Sequence, residues 1–296
     1  MATGLSISST SNLSSGQKIL VEAAMDAFEP AAPNPDLIWN VRIPAGVKQW
    51  DLLTYARLAN AASLTEGVDL SSVQQLVANS LSVTPAENGI LVTLSKRLIR
   101  RQGDRDVISG AGTMIANSLR RLMDVDVISL YDGFSKETPG TGAALDVIHF
   151  FGAVAYLLTD NDSSYGPAPL PLRAALHIEQ ISDIVDQLTD KGLTDRPQAG
   201  ITERVLQNWW KGSDRLYGVQ IFHAGNIPRA SNNDAKGGLF SQQALALVMA
   251  NEMEITEDED PSLRAIEYGA FQEWATGERA DTHGVEIFSE AGTTLT

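Results

Sequence analysis

A chain of 296 residues is long enough to bury a substantial core, about 75% of the surface that its unfolded form would expose. Its 22 Lys and Arg against 37 Asp and Glu give a net charge of −15, which argues against a surface built to neutralise phosphates, while 43% apolar and 20% charged residues are ordinary globular proportions. Without cysteine there is no disulfide, thiolate zinc site or cysteine nucleophile, and no run reaches the ~18 apolar residues of a membrane span.

Residues 1–6 lack the basic start and apolar stretch of a secretory signal. Residues 1–15 carry Ser6, Ser8, Ser9, Ser11, Ser14 and Ser15, too little apolar surface to order on their own, and are predicted to form an arm. Over 16–28, Ile19, Leu20, Ala23, Ala24 and Ala27 fall at helical spacing, and Pro30, Pro33 and Pro35 forbid continuation; a short helix and an extended linker are expected.

Strands are predicted over 37–43, with Ile38, Trp39, Val41 and Ile43, and over 50–55, separated by the Pro44-Ala45-Gly46 turn. Residues 60–75 are small and polar, and strand patterns return at 81–84 and 89–94. The pattern describes a long hairpin whose excursion, with Glu66-Gly67 at its middle, has little core and needs another surface to lie on. Residues 96–105 are basic, with Lys96, Arg97, Arg100, Arg101 and Arg105, but Asp104 and Asp106 follow at once, so a salt-bridging segment is expected there and not a nucleic-acid groove.

The clearest element comes next. Ile108, Ala111, Ile115, Leu119, Leu122 and Val125 recur three or four apart and predict one apolar stripe on a helix longer than the ~11 to 12 residues usual in globular domains. Asp104 or Asp106 would cap its first turn and Gly133 would end it. After Pro139-Gly140-Thr141-Gly142 a second helix is expected over 144–158, with Leu145, Ile148, Ala155 and Leu158 among its buried positions. A strand at 172–178, a helix at 181–188, a looser segment with Trp209-Trp210, strands at 218–222 and 239–240 after a loop at 226–238, and extended segments at 252–255, 263–274 and 284–288 complete an α+β order without an internal repeat.

Signatures of catalysis or metal binding are weak. His149, His177, His223 and His283 are far apart; His177 and Glu179, expected on one face of a strand, are two ligands where zinc or iron needs three or four. The calcium-like stretch Asp160 to Gly166 has its glycine one place too late and Pro171 where a bidentate Glu belongs. Gly140-Thr141-Gly142 lacks the third glycine of a dinucleotide site and the Lys of a phosphate loop, and no G-x-S-x-G elbow occurs. No cofactor is implied. The acidic run Glu252, Glu254, Glu257, Asp258, Glu259 and Asp260 reads as a solvated face.

The order of arm, long hairpin, long helix, mixed lobe and returning strands resembles tailed-phage major capsid proteins of the Hong Kong 97-like fold. Leu64-Thr65-Glu66-Gly67-Val68 resembles part of their extended loop, and residues 92–98 the strand leading from it to the long helix. Residues 111–126 followed by Leu130-Tyr131-Asp132-Gly133 are similar to the family's spine helix and its exit, residues 176–184 to the strand-to-helix step of the inner lobe, and residues 218–222 with Asn226-Ile227-Pro228 to its central strand and loop. Residues 194–214 have no counterpart in that pattern, and no long scaffolding-like region precedes the arm.

The resemblance implies an arm at 1–36, an extended loop with flanking strands at 37–95, a peripheral domain with the spine helix at 96–140, an axial domain at 141–245, returning peripheral strands at 246–280 and a C-terminal strand and tail at 281–296. It implies a non-enzymatic subunit, assembled in a host cytoplasm, that forms pentamers and hexamers of an icosahedral head around double-stranded DNA. Scaffold, portal and cement proteins would be partners, membranes would not, and an acidic inner wall would let packaged DNA slide. In such a shell Glu66 of the loop, and Glu257, Asp258 and Asp260 opposite Arg97, Arg100 and Arg101 of a neighbour, are expected at subunit contacts. An encapsulin shell of the same fold, and an unrecognised α+β enzyme, are the competing readings.

Overall fold

The computed structural model describes residues 32–292 apart from 45, 62, 65, 68, 70–72, 103, 160–164 and 191–214. Residues 1–31 of the arm with its expected helix, most of the calcium-like stretch and the Trp209-Trp210 segment lie outside the described residues.

Helix α1 (Asn34–Leu37) is a single turn with Pro35 in its first positions, where a missing N–H costs nothing. It leads into β1 (Trp39–Arg42) and, past Gly46 at φ +87°, into the hairpin β2 (Trp50–Tyr55) and β3 (Ala78–Val83), in register from Trp50 opposite Val83 to Tyr55 opposite Ala78. Between these strands nearly every described side chain is exposed, Leu64 and Val73 among them. Next come β4 (Ala86–Ser95), α2 (Lys96–Gln102), the long α3 (Asp104–Ser129), β5 (Glu137–Pro139), α4 (Val147–Leu158), β6 (Leu172–Leu176) and α5 (Ile178–Asp190). The chain finishes with β7 (Arg215–Leu216), β8 (Val219–His223), β9 (Asp234–Ser241), β10 (Leu245–Asp260), β11 (Ala265–Glu278) and β12 (Gly284–Glu290).

Two larger sheets result. The first has the order β1-β10-β11-β4 and the second β5-β12-β9-β6-β8-β7, with β2-β3 as a separate ribbon. One core runs under α3, where Ile115, Leu119, Met123 and Val127 meet Leu245, Leu247, Ala270 and Trp274 of the first sheet and Phe240 of the second. Another joins Phe150, Val154 and Leu157 of α4 and Ile184 of α5 to Leu172, Ile221, Leu239 and Ile287 on the second sheet. Tyr131, fully buried and stacked at 5.4 Å on Phe240, lies so close to Gly238 that a Cβ there would come within 2.8 Å of its ring.

The structure corrects several expectations. Residues 96–98, expected as the end of a strand, instead open α2 because the Ser95 hydroxyl accepts the Leu98 N–H as an N-cap and Leu98 and Ile99 bury themselves beside Leu94. The α3 stripe follows Ile115 and Leu119 but then advances by fours to Met123 and Val127, which leaves Leu122 and Val125 exposed. Helix α3 ends at Ser129, and Gly133 instead closes a following 3-10 turn; the side chains of Asp104 and Asp106 lie outside the described residues. On α4, which is apolar nearly all round, Ile148 and Leu158 face outward and Ala155 is half-buried, while Phe150, Ala153, Val154 and Leu157 face inward. Strand β9 begins at Asp234, inside the expected loop. His177 lies between β6 and α5 while Glu179 is in α5, so the two do not share a strand face.

Candidate functional site

Most of the charges expected at subunit contacts lie at the far end of the first sheet. Strand β10 pairs with β11 to its last residue, Asp260 opposite Ala265, and β11 pairs with β4 to Ser95 opposite Ala265, so α2 begins where the β10–β11 turn lies. The turn is built by Asp260, whose carboxylate accepts the Ser262 hydroxyl (2.6 Å), the Ser262 N–H (2.7 Å) and the Leu263 N–H (3.2 Å), with Arg264 at φ +52° completing it. The same hydrogen bonds, from the Ser262 hydroxyl first and the Leu263 and Ser262 amides next, hold the Asp260 carboxyl below its ordinary value. The Arg264 carbonyl accepts the Lys96 N–H at 2.9 Å, and the Lys96 ammonium pairs with Glu259.

Two flanks of opposite sign emerge. On the β10 edge Glu252, Glu254, Glu257, Asp258 and Glu259 are exposed; across β11 and β4, α2 turns Arg97, Arg100 and Arg101 outward because Leu98 and Ile99 take the inner positions. Arg97, Arg100, Arg101, Glu257 and Asp258 have no ion pair among the described residues. Glu66 sits exposed in a turn with Gly67 (φ +79°), and no hydrogen bond or ion pair among the described residues joins it to this tip. Within one copy the basic and acidic runs meet through Lys96 and Glu259.

Sequence reasoning missed three features. A buried polar node ties the spine to both sheets: the fully buried Asp124 carboxylate accepts the Asn34 N–H (3.0 Å), the Asn34 amide (2.9 Å) and the Asn226 amide (2.9 Å), while the Tyr131 hydroxyl donates to Asn34 (2.8 Å). Burial raises the Asp124 carboxyl above its ordinary value, against these hydrogen bonds and nearby Arg120. An apolar surface is the second, formed by Ile148, Phe151 and Leu158 of α4 with Tyr217, whose ring lies 4.8 Å from that of Phe151. The third is a groove of about 280 Å³ between α1, α3 and β10.

Catalytic geometry is sparse. His177 accepts the Glu179 N–H at 3.3 Å through Nδ1 and gives its own N–H to Gln180, and burial lowers its pKa against the pull of Glu179. Among the described residues no group of three or more His, Cys, Asp or Glu side chains is placed to hold a metal ion.

No protein-family profile matches the chain, and no curated protein matches it in sequence. Solved structures do match. The capsid structure of Helicobacter pylori bacteriophage KHP30 superposes with a TM-score of 0.73 at 12% identity over 99% of this chain and 100% of that one. The capsid of Ralstonia phage GP4 gives 0.71 at 11% over 99% and 100%, and that of cyanophage P-SCSP1u 0.67 at 12% over 91% of each. At such identities the likeness is one of fold, and it agrees with the resemblance drawn from the motifs: the chain has the α+β Hong Kong 97-like fold of phage capsid proteins.

Proposed function

We propose that the chain is the major capsid protein of a tailed bacteriophage, a non-enzymatic subunit that builds pentamers and hexamers of an icosahedral head around double-stranded DNA. The observation that carries this reading is the fold likeness, which spans 99% of the chain and reaches two separate phage capsids. The distribution of exposed surface supports it. A monomer has no use for a hairpin excursion at 56–77 with Leu64 and Val73 in water, nor for an outward α4 face with Ile148 70% exposed; a subunit that closes into rings through heterologous contacts has.

In this reading the Ser-rich start of the arm (1–36) and the excursion of the loop (37–95) reach neighbours; 96–140 and 246–280 form the peripheral domain, 141–245 the axial domain and 281–296 the closing strand and tail. The two-signed tip supplies a head-to-tail contact: Glu257, Asp258 and Asp260 of one copy face Arg97, Arg100 and Arg101 of the next, and Glu66 meets a neighbour through the loop. Each such exposed pair contributes at most ~1 kcal/mol, so the pairing sets orientation more than strength. Scaffold, portal and cement proteins join as partners, assembly proceeds in the host cytoplasm, and the virion is the destination. No helix among the described residues is long and apolar enough to cross a membrane.

Negative-stain microscopy of the purified chain after size exclusion tests the proposal. Pentamers, hexamers or closed shells are expected; a monodisperse monomer that stays so when scaffold is co-expressed overturns it. An encapsulin, the same fold around a cargo enzyme, differs in contents, so shells that copurify with an enzyme and never with DNA would move the assignment there.

A further inference from the structure

The groove between α1, α3 and β10 is open because of how the first sheet ends. Strand β1 follows β10 only over 39–42 against 246–249, and its last bond runs from the Ile43 N–H to the Met249 carbonyl at 2.9 Å. From Asn251 onward β10 has no partner on that edge among the described residues. The groove floor is Leu119 and Met123 of α3 with Leu247, Met249 and Met253 of β10; Met253 is 40% exposed, and Ile255, 54% exposed, continues along the same strand. Methionines fit irregular apolar partners because their side chains are unbranched and polarisable. An uncovered strand edge beside an apolar floor is a feature that folded proteins ordinarily cover.

The chain itself arrives at this place. Arg120, on the groove rim, donates from Nε (3.3 Å) and Nη2 (3.1 Å) to the carbonyl of Ala32, the first described residue, and pairs with Asp36. Four residues before Ala32 stands Phe28, and four residues span at most about 14 Å from a carbonyl held by a residue that lines the groove. Just upstream the sequence offers Ile19, Leu20, Val21 and Met25, whereas 1–15 are Ser-rich; apolar matter is therefore concentrated in the part of the arm nearest the groove.

We infer that residues 19–28 of the arm seat in this groove of their own subunit, with Phe28 on the Met123, Met249 and Met253 floor. Arg120 acts as the clasp that aims the arm there by fixing Ala32. This seat would exist in a single copy and does not depend on the shell reading.

The absence of cysteine makes the test direct. Full-length chain carrying Phe28→Cys and Met253→Cys is oxidised mildly and examined by non-reducing gel and mass spectrometry, beside a Ser9→Cys/Met253→Cys control and a Phe28→Cys/Gln272→Cys pair, which guards against a local defect at Met253. Both Phe28 pairs should close an internal disulfide in more than half of the molecules, and the control in few. Disulfide-linked dimers would overturn the inference by placing the arm on a second copy. So would free, alkylatable thiols in both Phe28 pairs, or equal cross-linking in the control.

Discussion

Along β10, Leu245 to Val248 are at most 1% exposed, whereas 251–259 are exposed on both faces of the same strand. The difference is one of neighbours. At the base, β1 and β11 flank the strand, Leu245 and Leu247 pack into the α3 core, and Ala246 and Val248 pack beneath β2 and β3 with Ile43, Leu52 and Val83. Further out, only β11 lies alongside among the described residues, and apolar residues give way to carboxylates. The second sheet resembles the base: Ala174, Leu176, Val219, Ile221, Leu239 and Ile287 are fully buried on four of its strands. The fold is thus held by one half of the molecule and addressed to other surfaces by the other half, and substitutions in the two halves should register in different assays.

The largest effect is expected at the base. Trp274, 2% exposed and hydrogen-bonded through Nε1 to Asp126 at 2.8 Å, joins β11 to the spine helix; Trp274→Ala should cost about 3 to 5 kcal/mol in urea unfolding of the purified chain. A loss under 1 kcal/mol would mean that the first sheet contributes little to the subunit's own stability. Next comes Gly284→Ala. A Cβ at Gly284 would stand 2.1 Å from the Phe134 ring, so about 1 to 3 kcal/mol should be lost through overpacking, measured the same way.

A smaller effect depends on pH. Asp183 on α5 is pushed up from 3.8 to about 6 by burial, and Glu290, Glu179 and Asp186 push in the same direction against a hydrogen bond from the Leu145 backbone. Because the folded state holds the proton more tightly than the unfolded one, this group's contribution to stability is fully present below 3.8 and is lost as pH rises through about 6. Asp183→Asn should flatten the fall in stability across that window and leave the chain about 1 kcal/mol more stable at pH 7, partial exposure having weakened the effect. An unchanged pH profile would count against the burial of this carboxyl.

Smallest in stability, and most telling for association, is Arg100→Glu with Arg101→Glu on α2. Unfolding should shift by no more than ~0.5 kcal/mol, because both side chains are solvated. Light scattering across a salt series should show weaker assembly at low salt and a flatter salt response than the unaltered chain. If both stay unchanged, the two flanks of the tip do not pair between copies.

Periodic hydrophobicity made many regular elements legible: the hairpin strands, the spine helix, the strand and helix at 172–190, β8, β11 and β12 stand where the pattern puts them, within a few residues, whereas β9 and β10 extend well beyond the expected 239–240 and 252–255. It failed where two readings share one pattern. Leu98-Ile99 between basic residues suits a strand end or a helix, and only the Ser95 cap decides. The α3 stripe could advance by three or four after Leu119, and packing on Trp274 and Leu247 selects Met123 and Val127. On α4 apolar residues occur all round, so no period tells Phe150 from Ile148. The acidic and basic runs were visible as charge, but their meeting through β11 requires the register of three strands. The Asp124 node joins residues 34, 124, 131 and 226, and no local signal announces a carboxylate that will be buried.

The parallel pairing of β1 with β10 carries a consequence for synthesis. Trp39 finds its partner Ala246 about 200 residues later, and β4 waits nearly as long for β11, about 170 to 190 residues. At ~5 to 20 residues per second, a ribosome needs roughly 10 to 40 s to deliver the missing strands, and through that interval the first sheet has no centre on which to form. The charged tip, which exists only once β10 and β11 have turned back toward Ser95, is therefore among the last surfaces to appear. If the tip charges pair between copies as proposed, a nascent chain cannot engage a neighbour through a contact it has yet to build, and growth by that contact is reserved for finished subunits.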